Sequence, residues 1–77
     1  MQPVRVDWNR VPVSLHHESL DVLKNLLLHL RDVYNLTKRS IPMPDRINGG
    51  YVAFLYQACD PQWLLSWNEE FVGENNG

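Results

Sequence analysis

The sequence has few of the devices by which a short chain usually holds itself together. It contains one cysteine, Cys59, so no internal disulfide can form. A lone cysteine fits a reducing compartment. His16, His17 and His29 are the only imidazoles, and neither a Cys-x-x-Cys nor a His-x-x-x-His pair is present, so no structural metal site is expected. No run of about 18 apolar residues occurs, which argues against a membrane-spanning helix. The segment Met1 to Asp7 lacks the apolar core of a signal peptide, so a cytoplasmic protein is expected. There is little excess charge: the net value is −2, which argues against a partner built of phosphates. Asn48-Gly49-Gly50 has neither the spacing nor the lysine of a phosphate-binding loop. No internal repeat and no low-complexity tract is visible.

With 77 residues the chain has room for one domain. A domain of this size buries only about 60–65% of its unfolded surface. Without disulfide or metal, stability must come from a dense apolar core or from a second copy of the chain. The hydrophobic content of 44% is that of a globular protein.

The core material is concentrated between Leu15 and Leu36. At 100° per residue, Leu15, Leu20, Val22, Leu23, Leu26, Leu27, Leu30, Val33 and Tyr34 share one side. Asp21, Lys24, Asn25, Arg31, Asp32 and Asn35 share the other. This pattern predicts a helix over 15–36 with Ser14 as its N-cap. Glu18 and Asp21 suit the positive end of its dipole, and Lys38 and Arg39 the negative end. Leu28 breaks the pattern by falling in the middle of the polar face.

Before this helix, Val4, Val6 and Trp8 alternate with polar residues, as do Val11, Val13 and Leu15. Period two predicts a short hairpin or an extended arm that tucks Trp8 into the core. After it, Pro42 and Pro44 bias Ile41 and Met43 toward extended geometry, which marks a connector. For 45–59 two readings compete. Ile47, Tyr51, Phe54, Leu55, Ala58 and Cys59 share one face of a helix beginning near Asn48. Alternatively Asn48-Gly49 is a hairpin turn and 51–56 a strand. Because the two prolines weaken a partner strand, the helix is preferred. Asp60-Pro61 then supplies a cap and a favoured first residue for a helix from Pro61 to about Phe71. The expected fold is mostly α: a small three-helix domain over 1–72 with an N-terminal extended arm or short β-hairpin, followed by a flexible tail over 73–77.

Catalysis finds little support. Nothing nearby activates Cys59 or orients His29 toward it. Ser14 or Ser19 with a neighbouring histidine and Asp21 has the residue types of a triad, but neighbours along one helix do not have its geometry. Enclosing a pocket of about 300 Å3 or more would strain so small a domain. We therefore expect neither an enzyme nor a bound cofactor or metal. Three helices also invite a helix-turn-helix reading, but 61–71 would be the recognition helix and carries Glu69 and Glu70 with no basic residue. Lys38, Arg39 and Arg46 make only a small basic patch.

The apolar surface is more informative. Trp63, Trp67 and Phe71 are large for one short helix, and Leu65 and Val72 lie outside their arc. With Leu28, these leave apolar positions without obvious cover inside the chain. Leu28, Trp63, Leu65, Trp67 and Val72 are therefore the candidate partner-binding residues. The function this favours is a small protein-binding module: a regulator, adaptor or inhibitor of a larger protein, of the kind met in viruses and mobile elements, or a chain completed as a homodimer. A nucleic-acid-binding regulator is the alternative.

Overall fold

The computed structural model describes residues 2–76. They form four strands and two helices, in the order β1 (Arg5–Asp7), β2 (Val13–His17), α1 (Leu20–Tyr34), β3 (Met43–Pro44), β4 (Tyr51–Leu55) and α2 (Pro61–Asn76). The strands make one antiparallel sheet in the order β1-β2-β4-β3. The fold is therefore mixed α and β. The expected three-helix domain is incorrect, as is the description of the chain as a helical bundle.

Two segments account for the difference. Residues 15–17 are strand, not the first turn of the central helix. The apolar face of α1 begins at Leu20, and Ser19 is its N-cap, accepting from the Val22 N–H at 3.5 Å. Ser14 is buried in β2 and caps nothing. The second segment is 45–59. Gly49 and Gly50 both have positive φ, +80° and +67°, which a helix cannot absorb. Together they close a turn in which Gly49 N–H donates to Asp45 C=O and Asp45 N–H to Gly50 C=O, both at 2.9 Å. Asp45 Oδ1 also accepts from the N–H groups of Ile47 and Asn48, at 3.1 Å each. Tyr51–Leu55 then pairs along its whole length with β2, from Val13↔Leu55 to His17↔Tyr51. The prolines do not obstruct this pairing, because β4 takes its long partner from β2. Pro44 lies in the two-residue edge strand β3, where its missing N–H costs little. A helix-turn-helix arrangement loses its scaffold with the helix expected there.

At the N-terminus the hairpin forms, with Arg5↔His16 and Asp7↔Ser14 as end pairs. Trp8 stays 40% exposed and does not enter the core.

The core lies between one sheet face and the helices. Leu15, Ala53 and Leu55 from the sheet meet Val22, Leu23, Leu26, Leu27 and Leu30 from α1, with Leu36 and Leu64. Five of these leucines and Ala53 have no exposed surface at all: Leu15, Leu23, Leu26, Leu30 and Leu36. Leu36 reaches the core because Asn35 ends α1 in the left-handed region (φ 57°), which asparagine tolerates. α2 is stapled to the edge of the sheet by one side-chain amide. Asn68 Oδ1 accepts from Val4 N–H at 2.9 Å, and its Nδ2–H donates to Val4 C=O at 3.0 Å. The amide thus copies the pairing of a neighbouring strand and occupies part of an otherwise open edge. Asp60 caps α2 as its position suggests, accepting at Oδ1 from Gln62 N–H at 2.9 Å. The helix continues past Phe71 to Asn76. No helix among the described residues is long and apolar enough to cross a membrane.

Candidate functional site

The face of the sheet away from the helices carries a polar line. Ser14 Oγ lies 2.8 Å from His16 Nε2, and His16 Nδ1 lies 3.1 Å from Asp45 Oδ2. An ionised carboxylate only accepts, so Nδ1 carries a proton and the Ser14 hydroxyl can donate to Nε2 of the neutral ring. Strand alternation brings Ser14 and His16 to one face, and the β3–β4 turn delivers Asp45 from 29 residues away. The order of atoms is that of a Ser-His-Asp triad. The resemblance stops at access. Ser14 has no exposed surface and is flanked on both sides by paired strands, so no carbonyl reaches its hydroxyl. The line works as a latch that ties β2 to the β3–β4 turn.

Asp45 is the strong member of this latch. The Asn48 backbone N–H, and then His16, Asn48 Nδ2–H and the Ile47 N–H, stabilise its charged form and lower its pKa from 3.8 to about 2. A carboxylate lowered on folding supports the fold above its unfolded pKa and loses that support as pH falls through the folded value. Asp45→Asn should therefore lower the melting temperature at neutral pH, with the gap to wild type closing between about pH 4 and 2. Thermal melts across that range read this, and a gap independent of pH would show that the charge is not what matters.

Cys59 is half-buried, and burial followed by the Asp60 charge pushes its thiol up to about 11. Relative to the ordinary value of 9.0, thiolate at pH 8 falls about a hundredfold, and higher intrinsic nucleophilicity recovers about tenfold of that. Iodoacetamide at pH 8 should label Cys59 roughly tenfold more slowly in the folded chain than in urea. Equal rates would contradict the burial. His29 lies edge-on to Tyr34, centroids 5.8 Å apart, and Cys59 Sγ–H donates to the Asp60 C=O at 3.7 Å and not to an imidazole. Among the described residues, no three of His, Cys, Asp or Glu converge as a metal site would require.

The five candidate contact residues do not form one patch. Trp63 stacks on Tyr34 of α1, with centroids 4.2 Å apart and planes 7° apart. Trp67 stacks on Phe71 at 4.8 Å, and Phe71 meets the edge of His17 at 6.2 Å. Both tryptophans are half-buried against the core, so most of this aromatic face is spent inside the domain. Val72 is half-buried one residue beyond Phe71. Leu65, 53% exposed, lines a groove of about 330 Å3 with Trp8, Val6 and Pro61, between β1 and the start of α2. Leu28, 42% exposed, lines a different groove of about 450 Å3 between α1 and the connector.

The α1–connector groove presents the larger apolar surface of the two. Leu20, Leu27 and Leu28 come from α1, and Ile41 and Pro42 from the connector. Ile41 is 72% exposed. It is held out there because the connector is sewn to β4 on either side of it. Ser40 N–H donates to Phe54 C=O and Phe54 N–H donates to Ser40 Oγ, both at 2.8 Å, while Met43 pairs with Val52. The sequence pattern marks Leu28 but not Ile41, whose place in an extended connector has no periodicity to betray it. Lys24 and Arg39 complete the groove, and no carboxylate is among the residues that line it.

Fold and grooves together define a small α+β domain with one sheet face packed on its helices and open apolar surface at two of its edges. No protein-family model matches the chain, and no curated protein or solved structure matches it significantly.

Proposed function

We propose that this chain is a protein-binding module whose contact surface is the groove between α1 and the 39–42 connector. One observation carries the reading. Leu28 and Ile41, large apolar side chains from separate elements, stand 42% and 72% exposed on a single groove that no other part of the described chain covers. Scattered surface leucines need no explanation, but a shared apolar depression with a polar margin is the usual form of a protein contact. The groove is open and shallow, which suits a row of side chains from another polypeptide. Regulation or inhibition of a larger protein by occlusion is the activity this supports.

The test compares the wild-type chain with Leu28→Glu, Leu65→Glu and, as a control on the same helix, Asn25→Glu. All three sites are exposed, so far-UV circular dichroism should show an intact fold for each. A partner captured from the source cells and then purified should lose at least tenfold in affinity for Leu28→Glu, the loss of a central contact being worth about 2 kcal/mol or more. Asn25→Glu should bind as wild type. A partner that binds Leu28→Glu normally and loses Leu65→Glu would move the site to the β1–α2 groove. Unchanged binding by both would remove the reading.

A further inference from the structure

We infer that the segment bound in the α1–connector groove is acidic: a peptide stretch of the partner presenting large apolar anchors among aspartate and glutamate. This rests on the protein-binding reading and specifies its chemistry. The argument is charge complementarity. The whole chain is net negative, with nine acidic and seven basic residues. The residues that line this groove nevertheless include two cations, Lys24 and Arg39, and no carboxylate. Lys24 comes from α1 and Arg39 from the connector, so each of the two elements that form the groove contributes one positive group. Neither cation forms an ion pair among the described residues. Arg39 donates only to the backbone C=O of its neighbour Ser40, at 3.3 Å. The β1–α2 groove has no charged residue in its lining, so this property is particular to one site.

Apolar anchors would bury against Leu27, Leu28, Ile41 and Pro42, and flanking carboxylates would meet Lys24 and Arg39. Basic segments with the same anchors would be repelled by both cations. Charges at the margin of an interface act mainly on selection and encounter rate, so the expected signature is discrimination between peptides with equal anchors.

The probes are two synthetic 15-residue peptides with identical leucine and isoleucine positions. One carries glutamate and aspartate elsewhere, the other lysine and arginine. Each is titrated into the full isotope-labelled chain at about 20 mM salt, and amide shifts are followed by NMR. The acidic peptide should bind on the order of tenfold more tightly, each exposed ion pair contributing up to about fivefold. Shifts should centre on Leu28 and Ile41. The preference should fade toward parity near 1 M salt, where screening shortens to about 3 Å. Lys24→Glu alone, and with Arg39→Glu, should lower or reverse it while leaving the amide spectrum dispersed. Equal binding of both peptides in the groove would overturn the acidic partner and leave the protein-binding reading standing. Shifts confined to the β1–α2 groove, or no binding of either peptide at millimolar concentration, would overturn the assignment. So would concentration-dependent sedimentation abolished by Leu28→Glu, because the occupant would then be a second copy of this chain.

Discussion

Leu26→Ala should unfold most of the population or lower the melting temperature by well over 10 °C. Leu26 has no exposed surface and sits on the inner face of α1 among Leu23, Leu27 and Leu30. Truncating such a leucine removes its burial energy and leaves a cavity, at a cost of about 2–5 kcal/mol. A 77-residue domain has roughly 4–12 kcal/mol of stability in total, and each kcal/mol is worth about 4–8 °C at this size. Nothing else compensates, since the single cysteine cannot cross-link the chain. Leu28→Ala, two residues along the same helix, should change stability by no more than about 1 kcal/mol, because its side chain is 42% exposed on the groove. Urea or thermal denaturation of the two variants reads the contrast. Similar losses for both would place Leu28 in the core and leave the groove without a free wall.

Gly50→Ala should be the second most damaging change, by about 3 kcal/mol or more. Two penalties add. The residue has a φ of +67°, where an L side chain costs about 1–2 kcal/mol. A Cβ there would also stand 2.7 Å from the His17 carbonyl oxygen and 2.9 Å from Glu18 Cα, both backbone atoms. Those atoms cannot swing aside as a side-chain tip would, so the β2–α1 junction or the β3–β4 turn must move. Gly49→Ala pays only the first penalty, since nothing lies within 4 Å of its Cβ position. Its expected cost is about 1–2 kcal/mol. Equal melting temperatures for the two variants would show that the close approach is relaxed in solution.

The contrast between these glycines bears on how far the chain could be read from its residues. Gly49 and Gly50 are visible as turn formers, and the Asn48-Gly49 turn with a strand after it was one of the two readings of that segment. What could not be seen was the partner of the strand. Upstream, the Pro42 and Pro44 segment supplies only the two-residue pairing of β3, Met43↔Val52 and Pro44↔Tyr51. The long partner, β2, lies 34 to 42 residues back, with Val13 against Leu55 and His17 against Tyr51. The helical wheel over 47–59 was misleading for a related reason. Val52 is buried to 7% exposure on the outer face of the sheet while Ala53 and Leu55 are buried on the inner face. A strand covered on both sides shows no clean alternation, and a short apolar run then fits a helix as well as a strand.

The same limit governs the candidate contact residues. Leu28 could be identified because a helix has a fixed period and Leu28 falls on the wrong side of it. Trp63 and Trp67 could be placed on one face of α2, but their half-burial depends on Tyr34 and Phe71 as stacking partners. Ile41 and Trp8 stand outward, which their sequence pattern leaves open, because extended segments are positioned by the hydrogen bonds of their neighbours and not by their own pattern. The Ser14–His16–Asp45 latch lay beyond reach entirely, joining residues 29 apart through a turn.

Local order alone therefore determined the body of α1 though not its start at Leu20, the Asp60-Pro61 start of α2, the lack of a disulfide, and Leu28 as an outlier on a polar face. Each depends on residues within one or two turns of one another, whose periodicity and capping are written in consecutive letters. Tertiary structure alone decided that 13–17 and 51–55 are paired strands, that Asp45 holds His16, and that Leu28 shares its groove with Ile41. These are contacts between distant positions, and their free energy exists only once the intervening chain has closed.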